Sequence, residues 1–370
     1  MAEFINGLDL CRGFFFEEAK PILDRSFPEL KYSAGLIGYG SDVLGYDDEV
    51  SRDHMWGPRF YFFPDPAEIG RKEEIFDAFA RELPYTYRGY SVNFTVPDPN
   101  DNGVQHPQFI TSGPVNPLIF IQTFDEFLED ELGTSDLLSL RPAAWLTISE
   151  HRLLSLTAGE LFHDGLNLTG RLDAIRYYPE DVRRYRIAAN WDSIASEQAF
   201  VRRCADVGDD IGSVIVAARI AERLMRLCFL YTKQYAPYSK WFGTAFAKLD
   251  VPQELKDALH AALHAPDIRE RENELVRAQA LTAVLHNASG ITPPVDFEIE
   301  TYYGREIKVI FADKFAEAVL ETLTGTALAD VPLLDALSSS AGLSNVTDDK
   351  QNYPRIWKLY DDSAHCSVQK

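Results

Sequence analysis

Between Gly38 and Arg59 the residue types and their spacing could do chemistry. A short apolar stretch from Tyr32 to Tyr39 ends in Gly38-Tyr39-Gly40-Ser41, and further on Asp53 opens a second run with strand character. Glycine has no Cβ, so the backbone there can close on a phosphate group. The N–H of Gly40 or Ser41 and the Ser41 hydroxyl would then donate to its oxygens. Carboxylates on the next strand would hold a divalent cation, which takes oxygen ligands in an octahedral shell and neutralises charge developing in phosphoryl transfer. Asp53 is the first candidate for that role, with Asp47, Asp48 and Glu49 in the loop and Asp98 after a later strand as candidate partners. The plain alternative is a surface turn bearing solvated acids. Arg52 and His54 flank Asp53 and could reach phosphate oxygens. Strand alternation turns both away from the Asp53 side, which suits a structural role equally well.

These residues need a sheet to position them. Arg59 to Phe63 is aromatic enough for a strand closed by Pro64, and Asp65-Pro66 then offers an N-cap with proline at the first helical position. A helix opens the chain from Leu8 to Arg25, and another places Ile75, Phe76, Phe79 and Leu83 on one face. Two further strands are expected at Tyr90 to Val96 and Leu118 to Phe124. Gly57-Pro58 implies that the strand after Asp53 is bulged or at an edge, because proline cannot donate within a central ladder. Beyond Ser135 the periodicity is helical. Ile211, Val214, Ile215, Ala218, Ala221, Met225, Cys228 and Phe229 form one stripe expected to face a bundle core. Helices are expected around Asp181 to Val207, Gln253 to His264 and Asp267 to His286, with a hairpin at 297–311 turning at Gly304. The fold class is α+β: a small mixed-sheet domain over 1–134, then a mainly helical domain over 135–370.

With 57 acidic against 36 basic residues among 370, the formal charge is 36 − 57 = −21. Such a chain repels a phosphate backbone unless its basic residues gather on one face, which argues against coating nucleic acid. No apolar run is long enough to span a bilayer, and no basic segment precedes an apolar one at the N-terminus, so a cytoplasmic protein without a membrane role is expected. The four cysteines form no C-x-x-C pair. His260 and His264 are spaced i, i+4 but lack the glutamate of H-E-x-x-H, and they read as a surface helix face. Glu150-His151 and His163-Asp164 read as packing and capping residues, since sequence neighbours do not face each other on a helix.

Gly40-Ser41-x-Val43-Leu44-Gly45-x-Asp47, followed by Ser51-x-Asp53-His54-x-Trp56-Gly57-Pro58-Arg59, resembles an uncharacterised bacterial family of the nucleotidyltransferase superfamily, which has the DNA polymerase β-like fold. It is the family called domain of unknown function 4037. Further matches include Arg88-Gly89-Tyr90, Ser112-Gly113-Pro114-Val115-Asn116, Phe162-His163-Asp164 and Tyr235-Ala236-Pro237-Tyr238-Ser239-Lys240-Trp241, so the similarity runs along nearly the whole chain. The resemblance implies a nucleoside triphosphate as substrate and Mg2+ as cofactor. It places Gly40, Ser41, Arg52 and His54 on the nucleotide, and by analogy with related transferases Lys240 on the outer phosphates. Asp53, with Asp47 or Asp48, would hold metal, and Asp53, Asp48 and Asp98 would serve catalysis.

One departure stands out. The superfamily pattern is Asp-x-Asp, and after Asp53 the second member falls on Met55, whose thioether is a poor ligand for magnesium. A loop acid supplies the missing ligand, Asp98 supplies it, or transfer chemistry has been lost. Two functions are therefore expected: Mg-dependent transfer of a nucleotidyl group to an unidentified acceptor (small molecule, tRNA or protein), or an inactive nucleotide-binding module that signals to a partner. The net charge favours a small acceptor over a long nucleic acid. Asp42, Asp47, Asp48, Glu49 and Asp53 crowd the turn, so nucleotide binding is expected to require magnesium.

Overall fold

In the computed structural model, which describes residues 4–51, 55–101, 103–334 and 349–360, the chain divides into two compact units. One comprises Met1–Ser139 with Arg152–Arg176, the other Leu140–His151 with Tyr177–Lys370. The fold is α+β. The division differs from the one expected at 134/135 because a strand beyond that point returns to the first sheet.

The first unit opens with α1 (Gly7–Phe14), a π-helical turn (Phe15–Ala19) and α2 (Lys20–Ser26). The π turn adds a residue to the helical repeat, so the successive Phe14 and Phe15 are both fully buried. Strands β1 (Tyr32–Leu36) and β2 (Arg59–Pro64) pair antiparallel. A 3-10 turn capped by Asp65 leads into α3 (Lys72–Glu82), whose Ile75 and Phe79 are buried. The short β3 (Thr86–Tyr87) and β4 (Tyr90–Ser91) make a separate hairpin, so the strand expected as far as Val96 is two residues long. β5 (Leu118–Ile121) runs parallel to β2 and stops short of Phe124. Thr123 and Glu126 form a capping box that starts α4 (Phe124–Leu132) instead. After a short helix of the second unit, α5 (Pro142–Trp145), the chain returns through α6 (Glu150–Ala158) to β6 (Glu160–Asp164) and α7 (Leu168–Ala174).

The sheet order is β5-β2-β1-β6, with β6 antiparallel to β1 across a bulge at Ala34/Gly35. β2 is thus central, and Pro58 stands just before it, outside the ladder. Alternation along β2 fills both faces. Phe60 packs edge-on against Phe15 and Phe79 at centroid separations of 5.4 and 6.0 Å, while Tyr61 and Phe63 meet Phe127 of α4 at 4.8 and 5.3 Å.

The second unit holds α8 (Glu180–Glu197), α9 (Phe200–Asp206), α10 (Asp210–Tyr231), α11 (Ser239–Lys248), α12 (Gln253–His264), α13 (Ile268–Ser289) and α14 (Asp313–Glu321). α10 packs against α8, α9 and α13, α12 against α13, and α14 against α8. The expected hairpin is present as β7 (Glu300–Thr301) with β8 (Lys308–Val309). The phase of α10 corrects the sequence expectation in its first half and agrees with it further on: Ile211, Val214 and Ile215 are exposed while Ser213, Val216, Ala217, Ile220, Leu224 and Leu227 are buried, and of the expected stripe Ala221, Cys228 and Phe229 are buried. Both stripes recur every three to four residues. Ser213, which accepts from Arg271 Nη1 at 3.0 Å, ties the N-terminal half of the second stripe to α13. No helix among the described residues is long and apolar enough to cross a membrane.

Candidate functional site

β1 delivers the chain into a turn whose Gly38 and Gly40 have φ of +84° and +133°. Beneath it lies Arg59, the first residue of β2, 2% exposed. Its Nη2 donates to the Tyr39 carbonyl at 2.8 Å and to Asp42 Oδ1 and Oδ2 at 2.8 and 3.0 Å. Asp42 is equally buried and also accepts from the Val43 N–H at 3.0 Å. The guanidinium is held above its ordinary pKa: burial is the largest influence and would lower it, but the Asp42 charge and hydrogen bond, with Cys11 and Tyr61, together outweigh that. Cys11, whose thiol lies 3.2 Å from the Gly57 carbonyl, is pushed up to about 12, first by burial and then by Asp42. A Cβ on Gly40 would come within 2.1 Å of Asp42 Oδ1 and 2.4 Å of Arg59 Nη2, so this position admits glycine alone.

Above the pair, the turn is open. Tyr39 is 51% exposed, and Gly40 and Ser41 are half-buried. The N–H groups of Gly40 and Ser41 bond to none of the described residues, whereas Gly38 donates to the Ser155 carbonyl and Tyr46 to the Ser41 carbonyl. The Ser41 hydroxyl donates to the Ser51 carbonyl at 2.9 Å. Two adjacent free amides on a left-handed glycine turn make a small concavity suited to an anion.

The acids around the turn are engaged with the protein. Asp47 Oδ1 accepts from Asn6 Nδ2 at 3.0 Å, and its Oδ2 from the Gly7 N–H at 2.7 Å and Trp56 Nε1 at 3.0 Å, which anchors the start of α1. Asp48 Oδ1 accepts from the N–H groups of Val50 and Ser51 at 2.9 and 2.7 Å. Asp98 bridges to Val104 in a separate tight loop and accepts from the Asn100 N–H at 2.8 Å. As placed, both oxygens of Asp42 and of Asp47 face protein donors and do not suit a metal ion, while Asp48 takes the Val50 and Ser51 N–H groups through Oδ1. Among the described residues no group of three or more His, Cys, Asp or Glu converges to hold one. Arg52, Asp53 and His54 lie outside the described residues, and Met55 follows them with φ +50°.

In the second unit Lys240 sits exposed in the first turn of α11, its ammonium 4.8 Å from the Trp241 ring centroid. Deeper in the same unit is a cluster that the sequence reading gave only a packing role. Glu150, 4% exposed, accepts from Arg186 Nη2 at 3.2 Å and from the Ala236 N–H at 3.1 Å, with Arg226 Nη1 at 3.7 Å. Arg186 lies over the Tyr178 ring and Arg226 over that of Phe242. Tyr178 and Tyr235 pack edge-on at 4.8 Å, and burial drives both hydroxyls upward in pKa. The signal available in the sequence was Arg186, a cation immediately before Ile187, Ala188 and Ala189 in a mostly apolar stretch of α8.

Residues 145–242 match the model of a family described as Domain of unknown function (DUF4037). No curated protein matches the chain. The crystal structure of a nucleotidyltransferase-like protein from Exiguobacterium sibiricum 255-15 is similar over 82% of this chain and 97% of its own, at 11% identity and a TM-score of 0.32. A likeness that slight carries no argument about chemistry. The family match covers Glu150, Arg186, Arg226 and Lys240, and over residues 145–242 the chain is thus similar to the family its sequence resembles, the domain of unknown function DUF4037.

Proposed function

We propose that this chain binds a nucleoside triphosphate through the turn Gly38 to Ser41. The reading is supported above all by the two adjacent N–H groups of Gly40 and Ser41, which have no acceptor among the described residues, with Gly40 held at φ +133°, where L side chains are rare. A phosphate oxygen received there would satisfy both donors. The nearest acid, Asp42, has its charge matched by Arg59, so the turn is less hostile to an anion than the count of acids suggests.

Nucleotidyl transfer is the second reading, favoured by the family resemblance and by Asp53, which falls in sequence between the turn and β2. In that reaction an acceptor oxygen bonds to the α-phosphorus while the bond from that phosphorus to the bridging oxygen breaks. Pyrophosphate leaves, and the acceptor's proton passes to a carboxylate, for which Asp53 is the first candidate and Asp48 or Asp98 the next. Magnesium enters this reading through Asp53, since Asp42 and Asp47 are taken by protein donors.

Calorimetry with ATP, GTP, CTP and UTP, each with and without magnesium, tests the proposal. Binding of at least one triphosphate is expected, and none in either condition would sink it. A pyrophosphate-release assay then separates the readings. Release that disappears in Asp53→Asn supports transfer, and binding without release across small-molecule and tRNA acceptors supports the module.

A further inference from the structure

The Asp42–Arg59 pair does more than fill the interior. Among the described residues the hydrogen bonds of the guanidinium pass through one nitrogen, Nη2, and fall on the turn: the carbonyl of Tyr39 before Gly40 and both carboxylate oxygens of Asp42 after Ser41. Meanwhile Arg59 Nε is buried with no partner among the described residues. An unpartnered buried donor costs free energy, which the contacts of Nη2 must offset. Those contacts lie on the turn, which Arg59 grips on both sides of the two free amides. The contact is also tight against Gly40, whose Cα leaves no room for a Cβ beside Nη2.

We infer that Arg59 is a positioning residue: with Asp42 it fixes Gly40 and Ser41 so that their N–H groups converge on one phosphate. The inference rests on the nucleotide reading for its purpose and on the contacts above for its geometry. Arg59 itself does not touch the ligand, since it lies under the turn with its charge spent on Asp42. Its role is to remove the turn's freedom before binding, which raises affinity without adding a contact.

The test uses the full chain, deuterated, in which Arg59→Met and Asp42→Asn are combined so that neither charge is left buried alone. Amide order parameters of Gly40 and Ser41 are measured without ligand, and affinity for inorganic triphosphate and for ATP is measured by calorimetry. We expect the two order parameters to fall from about 0.85 to below about 0.6 while those of Ala34 and Phe62 in the adjoining strands stay unchanged. Both affinities should drop at least roughly tenfold, the size of effect that loss of preorganisation produces. Unchanged order parameters at Gly40 and Ser41 overturn the inference, whatever the affinities do. A wild-type chain that binds neither probe overturns the nucleotide reading alone, because the order parameters still decide whether Arg59 sets the turn. Should the double variant not fold, Arg59→Lys serves in its place. The shorter lysine keeps a charge facing Asp42 but withdraws from the Tyr39 carbonyl, and the same loss of order is expected.

Discussion

Each unit buries an arginine–carboxylate group, and the two are built differently. In the sheet unit Arg59 and Asp42 are 17 residues apart, and the guanidinium serves a single exposed turn. In the helical unit Glu150 collects Arg186 of α8 from 36 residues away, the Ala236 amide before α11 from 86 residues away and the flank of Arg226 of α10. Desolvating such charges costs about as much as their attraction returns, so neither group is there chiefly for stability. The local pair shapes backbone that a ligand can meet. The distributed one sets how four stretches of chain pack, and it lies wholly inside the 145–242 family match.

Breaking the distributed group should have the largest effect. Glu150→Ala leaves Arg186 and Arg226 without their shared acceptor and orphans the Ala236 amide, and a loss of ~3–5 kcal/mol is expected in urea unfolding. In the local group, Asp42→Ala strands one guanidinium that still holds the Tyr39 carbonyl, so a smaller loss is expected, ~2–3 kcal/mol. If Asp42→Ala proves the more damaging, the contrast between a local clamp and a packing hub is wrong.

The helical unit also holds a titration device. Trp191 Nε1 donates to the Tyr231 hydroxyl at 2.8 Å, which lies 3.0 Å from His286 Nδ1, and His286 Nε2 lies 2.9 Å from Thr292 Oγ1. Because the Thr292 hydroxyl donates to the Pro293 carbonyl at 2.8 Å, it accepts from Nε2–H, and Nδ1 must accept from Tyr231. The chain of bonds is complete only with neutral histidine. Burial lowers its pKa to about 4 from the ordinary 6.5. The unfolded chain therefore takes up the proton first. Stability is full above pH 6.5, declines as pH falls toward 4 and then levels, for a loss of ~3 kcal/mol. His163 in β6 is lowered for the same reason, with Lys20 adding to the effect, but it is half-exposed and should contribute less. Unfolding free energies from pH 4 to 7 check this: the decline should flatten in His286→Gln and persist in His163→Gln.

Two glycines of one loop make a finer comparison. At Gly40 an added Cβ meets the clamp at 2.1 and 2.4 Å, while at Gly45, with φ +69°, nothing lies within 4 Å. Gly45→Ala should cost only the left-handed backbone term, ~1 kcal/mol. Gly40→Ala should cost ~2–3 kcal/mol, adding displacement of the buried pair, and should abolish triphosphate binding in calorimetry.

The turn itself was legible because glycine, serine and an apolar run have strong local preferences. Its support was not, because nothing in the spacing of Asp42 and Arg59 says that strand β2 will bring them together under Tyr39. Acids that count as candidate ligands in a sequence become hydrogen-bond acceptors once α1 and Trp56 arrive, as Asp47 did. β6 was hidden because Glu160 to Asp164 has an ordinary composition. Its place is set by pairing with β1 and by Arg12 reaching Glu160 from α1.

α10 supplies the last comparison and the smallest effect. An apolar stripe at helical spacing names a face, yet on this helix Ile211 is 75% exposed and Ile220, nine positions on, is 1% exposed. The two residues have the same side chain in the same helix and differ only in phase. Ile220→Ser removes buried methylenes and leaves a cavity, so ~3 kcal/mol should be lost. Ile211→Ser trades surface for surface and should stay within ~0.5 kcal/mol of wild type in urea unfolding. A loss at Ile211 comparable to that at Ile220 would mean that the outer stripe is covered in solution and that the burial phase of α10 is not the one described.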